Sequence, residues 1–208
     1  MKVSLEAALA ELPLFPLPQV VLFPRAMLPL HVFEPRYRQM LADCLETHGA
    51  MAVVLVRDPP RIARIAGAGI VIEHQPLPGG RSNILLAGKA RVRLEELPQG
   101  PPYRRARATI LEDVATSVAP PDLAALAHTA TFFASEVKKR DPSFTFHLPP
   151  NLEPGPLADA CTHHLVIDID ARQRVLEELD VRNRVELVTR ELASQTAALS
   201  GSRNNTLN

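Results

Sequence analysis

The sequence predicts an α+β fold: a small β-barrel or sandwich with one inserted helix, followed by a bundle of helices. Three observations lead there. Short β-rich runs, punctuated by proline and glycine, fill the first 114 residues. One stretch within them, near residues 35–49, switches to helical period. Beyond residue 114 the apolar residues recur at helical spacing almost throughout. The expected organisation is a β module at 1–114, a helical module at 115–199 and a flexible polar tail at 200–208.

The β module opens on ELPLFPLPQVVLFPRAMLPLHVFEPRYRQML, residues 11–41, an apolar segment carrying six prolines. Proline has no N–H and is excluded from central strand positions. The prolines therefore read as punctuation between short strands, QVVLF (19–23) and MLPLHVF (27–33). In PRYRQMLADCLETHG, the residues Tyr37, Met40, Leu41, Cys44 and Leu45 share one helix face, with Pro35 near the first turn and Gly49 as the stop. MAVVLV (51–56) and AGIVIEH (68–74) read as strands. PLPGGRS turns the chain into NILLAGKARVRLEEL (83–97), where alternation puts Ala90, Val92 and Leu94 on one face and Lys89, Arg91, Arg93 and Glu95 on the other. Gly88 suggests a bulge or bend. YRRARATILED (103–113) supplies the last strand.

In the helical module, Leu123, Leu126, Ala127, Ala130, Phe133, Ala134 and Val137 mark one long helix, opened by Pro121 or Asp122 and closed by Lys138, Lys139 and Arg140. A proline-rich loop follows. PLADACTHHLVI predicts a shorter helix with Leu157, Cys161, His164 and Leu165 inward. Asp168 and Asp180 stand as N-caps of two further helices, the second carrying Val181, Val185, Val188 and Leu192 on its inner face.

Composition narrows the function classes. Of 208 residues, 46 % are hydrophobic and 22 % charged, an ordinary globular balance, and twenty are proline. Net charge is formally zero, with 14 basic against 11 acidic residues in 1–114 and 9 against 12 afterwards. A non-specific nucleic-acid binder carries a larger basic excess. Two distant cysteines form neither a disulfide framework nor a zinc pattern. The N-terminal MKVSLEAALAELPLF is interrupted by Glu6 and Glu11 and lacks a signal-peptide core. No apolar run approaches the roughly 18 residues of a membrane span. The expectation is a cytoplasmic protein with no membrane partner.

Catalytic and cofactor motifs are missing. AGKA (87–90) lacks the first glycine and the final Ser/Thr of a phosphate-binding loop. GAG (67–69) lacks a third glycine and a following helix. CTHH (161–164) places Cys161 and His164 on one face, with no second ligand pair at metal spacing. Cys44 and Cys161 lie on apolar helix faces, where a thiol is inert. We expect no enzyme activity, no cofactor and no metal. The strongest electrostatic feature is the row Lys89, Arg91, Arg93, Arg105 and Arg107, an alternative nucleic-acid-binding stripe; alternating arginines also serve as solvated edge protection.

The order of these motifs resembles the amino-terminal, substrate-binding domain of the Lon protease family. It is carried by Leu12-Pro13-Leu14, Pro16-Leu17, Val20-Val21, Phe23-Pro24 and Pro29-Leu30, then by FEPRYR (33–38), which looks like the free-standing members. GAGIVIE, GGRSNILLAGKARVRLEE with Gly88 and Arg91, and PYRRARATILED continue it. In the second half, LAD (157–159) and the segment ending Asp180-x-x-x-Arg184 match, with Arg172 where lysine is common. The resemblance covers about residues 11–195. It implies a PUA-like β-barrel followed by a helical bundle, and recognition of unfolded polypeptide or a partner protein. The chain ends at residue 208 with no ATPase or protease module, so binding without ATP hydrolysis or cleavage is expected. The peptide-binding candidates are Phe23, Met27, Phe33 and Tyr37, of which Tyr37 and Phe33 are expected to be the most buried.

Overall fold

The computed structural model describes residues 4–98, 100, 102–148 and 151–204, the last five by backbone alone. The chain divides into two compact units, residues 1–112 and 113–208.

Among the described residues the first unit holds six strands and one α-helix: β1 (Leu12–Leu17), β2 (Met27–Val32), α1 (Pro35–Glu46), β3 (Ala50–Leu55), β4 (Ile65–Leu77), β5 (Arg81–Glu96) and β6 (Arg105–Leu111). β1 runs parallel to β3; every other pairing is antiparallel. The pairings β1–β3–β4–β5–β6–β1 close into a ring, and β2 hangs outside it on β5. The result is a mixed sheet that closes on itself with an appended strand, more complex than a plain barrel of short strands. β4 and β5, at 13 and 16 residues, are long, because β5 serves β2 with its first half and β6 with its second.

β1 solves the proline problem by changing neighbours midway. Leu17 turns its carbonyl to the N–H of Val56, and Leu14 turns its N–H to the carbonyl of Arg104. Odd residues therefore face β3 and even residues face β6. Pro16 faces the β6 side, beyond the pairing of Leu12 and Pro13 with that strand. Pro13 faces the β3 side, before pairing there begins at Leu14. Neither missing N–H removes a ladder bond.

The expected strand at 19–23 does not form. Val21, Leu22 and Phe23 are instead an irregular segment buried over the sheet. Glycines make the room: a Cβ at Gly67 would lie 1.9 Å from the Leu22 carbonyl oxygen, and one at Gly88 2.0 Å from that of Phe23. The sheet bulges here too, since Ala68 pairs Ala90 while Gly69 pairs Gly88, leaving Lys89 as the extra residue. The core below gathers Phe15, Leu22, Tyr37, Met40, Cys44, Met51 and Leu86, with the Phe15 and Tyr37 rings 4.5 Å apart. α1 begins with Pro35 in its first turn, and the chain leaves it through Gly49 at φ 68°. Its Leu45, expected inward, is 39 % exposed, at the margin of the stripe.

The second unit is built from α2 (Pro120–Lys138), α3 (Pro154–Leu165), α4 (Ile169–Glu177) and α5 (Val181–Asn204). Asp168 caps α4 by accepting from the Ala171 N–H at 2.6 Å, and Asp180 caps α5 by accepting from that of Asn183 at 3.0 Å. Val185, Val188 and Leu192 are fully buried on α5. That helix continues to Asn204, into the stretch expected as tail; residues 205–208 of that expectation lie outside the described residues. His164, expected inward on α3, is exposed, while Thr162 and Asp159 are buried. α3 packs against three other helices, so its buried stripe widens around the side opposite His164.

Candidate functional site

Among the described residues β2 pairs with β5 alone, which leaves its other edge open there. The Gly88 N–H bonds the Ala26 carbonyl at 2.8 Å, which fixes the alternation. Leu28, Leu30 and Val32 turn their backbone polar groups to β5; Met27, Pro29 and His31 turn theirs outward. Pro29 thus sits at an outward position, where its missing N–H costs the sheet nothing. The same three side chains are exposed, while those of Leu28, Leu30 and Val32 face the core.

The four peptide-binding candidates separate along this path. Phe23 and Tyr37, at 1 % and 6 % exposure, belong to the core. Met27 and Phe33, at 47 % and 58 %, are open to solvent at the two ends of β2. The expectation that Phe33 is among the most buried is corrected. Val32 points inward at 1 %, so the next residue points out, and the chain turns directly into α1 before Phe33 can fold back. The Phe33 ring stacks on His31, 5.9 Å between centroids. His31 in turn hydrogen-bonds the Asn83 side chain at 2.7 Å, and Asn83 donates to Gln75 at 3.3 Å, a polar ladder across three strands.

The basic row does not form a continuous face. Arg91, placed outward by alternation, is 3 % exposed. It pairs with Gly67, and the face they share is the one the Leu22–Phe23 segment crosses. Arg105 is ion-paired with Glu11, and Arg107 lies 3.9 Å from Glu95. Lys89 and Arg93 remain exposed.

Other clusters resolve into structure. A cleft of about 600 Å³ is lined by Pro16, Tyr37, Pro59, Pro60, Tyr103 and Arg104 among others. Its polar groups engage one another: Arg104 pairs with Glu96 at 2.6 Å and donates to the Pro60 carbonyl at 2.9 Å. The Tyr103 hydroxyl donates to Asp43 at 2.6 Å; burial, then that bond, raises its pKa. The Cys44 and Cys161 thiols are buried, which pushes both up to about 12. In CTHH, His163 and His164 meet edge to face at 4.8 Å. Burial, with His164 and Arg172 nearby, lowers His163 to about 4. Among the described residues no group of three or more His, Cys, Asp or Glu is placed to hold a metal ion. No described helix is long and apolar enough to cross a membrane.

The family-like motifs of the second unit meet at one buried ion cluster. Arg184, with a fully buried side chain, grips Asp113 at 3.0 and 2.5 Å and reaches Asp159, the acid of LAD, at 3.5 Å. It also donates to the Glu178 and Leu179 carbonyls at 2.9 and 3.4 Å. Gly155 leaves space for it: a Cβ there would stand 2.9 Å from Asp113 and 3.3 Å from Arg184. These motif residues hold the helices together, and of the three side chains only that of Asp113 reaches solvent.

Comparison with known proteins places the chain in a family. The family model of the ATP-dependent protease La (LON) substrate-binding domain matches residues 11–194. The Lon protease of Roseiflexus castenholzii and Lon protease 2 of Myxococcus xanthus are each 31 % identical over 188 residues, 85 % of this chain. The chain spans 23 % of the length of each, about a quarter of these relatives. The solved N-terminal domain of a Mycobacterium avium complex Lon protease shares the fold, with a TM-score of 0.65 at 13 % identity, covering 88 % of this chain and 98 % of that one. A Lon N-terminal domain protein from Xanthomonas campestris gives 0.63 at 23 % identity, over 85 % and 95 %. With the family match running through nearly all of both units, the chain belongs to the Lon substrate-binding domain family.

Proposed function

We propose that this chain is a non-catalytic module that holds extended, apolar stretches of unfolded polypeptide along the open edge of β2, with Met27 and Phe33 as the contact residues. The observation that carries the reading is the exposure of these two large apolar side chains at the ends of a strand that has no outer neighbour among the described residues. Open strand edges accept extended peptides through main-chain hydrogen bonds, with alternate side chains adding sequence-tolerant affinity. Phe23 and Tyr37 then serve as the supporting core rather than as contacts. The closed strand ring with its appended β2 is, in this reading, the PUA-like barrel the family resemblance implies, and residues 1–112 and 113–208 are separate domains. Burying the exposed half of one Met and one Phe side chain contributes about 1 kcal/mol each, so losing both weakens binding about 30-fold.

The test is titration of a labelled, reduced and carboxymethylated lactalbumin, followed by anisotropy, with Met27→Ser/Phe33→Ser beside the parent. Circular dichroism confirms that the variant folds. Saturable binding weakened at least tenfold in the variant supports the reading. Absence of binding to the parent, or equal affinity of the two proteins, refutes it.

A further inference from the structure

The two ends of the β2 edge carry cations that have no carboxylate partner among the described residues. At the first end, Arg25 adopts φ 66° and donates its N–H to the Gly88 carbonyl at 2.9 Å, which places it beside Lys89, the bulge residue. Both side chains are exposed. At the other end, Val32 pairs with Ser82, so Arg81 stands opposite Phe33. Arg38 approaches the same point from α1: a Cβ on Gly80 would lie 2.2 Å from its guanidinium. Arg81 and Arg38 are exposed too, and Arg81 donates to the Pro78 carbonyl at 3.1 Å. Nearby Arg36 differs, being paired with Glu34 at 2.8 Å and lying over the Tyr37 ring. Glu34, next to Phe33, is taken up by Arg36, and Glu73 lies on β4, two strands from the open edge. The middle of the edge holds Met27, Pro29 and His31, with no formal charge when His31 is neutral.

Resting on the peptide-binding reading above, we propose that the edge selects an extended segment of about seven to nine residues with an apolar centre and an acidic residue at each end, added to β2 as a further strand. Met27 and Phe33 are six residues apart, about 20 Å along a strand. A segment matching that span sets its terminal carboxylates against Arg25/Lys89 at one end and Arg38/Arg81 at the other. The outward N–H and C=O groups of Met27 and His31, with the Pro29 carbonyl, supply its main-chain partners. The missing N–H of Pro29 leaves one gap in the middle of this row, which disfavours open-ended sheet growth on the edge. Charge complementarity of this kind sets partner choice and is screened by salt.

The test uses labelled nonapeptides with one alternating apolar centre and Asp, Ser or Lys at both ends, titrated against the full chain by anisotropy. The expected order is Asp, Ser, Lys, with at least tenfold between the extremes at low ionic strength and a smaller ratio at 0.5 M salt. The variants Arg25→Gln/Lys89→Gln and Arg38→Gln/Arg81→Gln each reduce that ratio while leaving the Ser-ended peptide unchanged. Two further Asp-ended peptides carry backbone N-methyl groups on alternate residues, one on the odd set and one on the even set. Strand addition predicts that only one of the two loses binding. Equal affinity for the three end types overturns the charge selection and leaves the peptide-binding reading standing. Equal behaviour of the two N-methylated peptides overturns strand addition. If no peptide binds, both readings fall.

Discussion

Replacing Arg184 by Met tests the central claim about the helical unit. Its guanidinium is fully buried and satisfies two carboxylates and two backbone carbonyls. Asp113, with a side chain 34 % exposed, recovers water when the arginine is lost. Asp159, at 5 %, stays buried and loses its Arg184 contact, and the Glu178 carbonyl loses the arginine N–H it accepts. Breaking a buried ion pair from one side costs about 3–5 kcal/mol, because the remaining charge keeps its desolvation penalty without its partner. Arg184→Met is therefore expected to lose about 3–5 kcal/mol in urea unfolding followed by far-UV circular dichroism, which reports on the helices directly. The double variant Arg184→Met/Asp159→Leu removes both buried charges, and such replacements are often neutral. It should recover at least half of the loss. A single variant within about 1 kcal/mol of the parent, or a double variant no better than the single, refutes the account of this cluster.

Three further outcomes follow from the geometry. Gly67→Ala drives a methyl into the Leu22 carbonyl and should cost at least about 2 kcal/mol in chemical unfolding, whereas Gly79→Ala meets open space and should cost about 1 kcal/mol for its φ of 75°. Cys44 and Cys161 should resist a disulfide-exchange reagent in the native protein and react only on unfolding, because burial holds both thiols at about 12. His163, lowered to about 4, adds no pH dependence above about 6.5, where it is neutral in both folded and unfolded chains. Between about 6.5 and 4 the unfolded chain takes the proton and the folded one does not, so stability falls as pH falls. His163→Asn should flatten part of that slope in pH-dependent denaturation, with His48, also lowered by burial, contributing to the rest.

How far local pattern carries is clearest where it succeeds and fails side by side. The stripe Tyr37, Met40, Leu41 and Cys44 lies on one face of one helix, so spacing alone predicts its burial. Asp168 and Asp180 cap helices through bonds to residues three positions on, equally local events. QVVLF fails because its burial comes from passing over Gly67 and Gly88, residues more than forty positions away. Arg91 fails for the same reason: period two sorts the faces of an isolated strand, while the face it predicts as open is roofed by that segment. Phe33 fails because a β-propensity reading extends the strand by one residue, across the turn into α1.

From sequence alone come the α+β class, the change from strands to helices near residue 114, most element positions and the family, since each rests on nearest-neighbour spacing or on motif order. Which side chains stay in water is different. That Met27 and Phe33 remain open while Phe23 and Tyr37 are enclosed, that β2 keeps an edge unpaired among the described residues, and that Arg184 finds Asp113 and Asp159 are all decided by tertiary structure. Exposure and charge pairing depend on which distant segments pack against a residue, and a one-dimensional pattern does not record those neighbours.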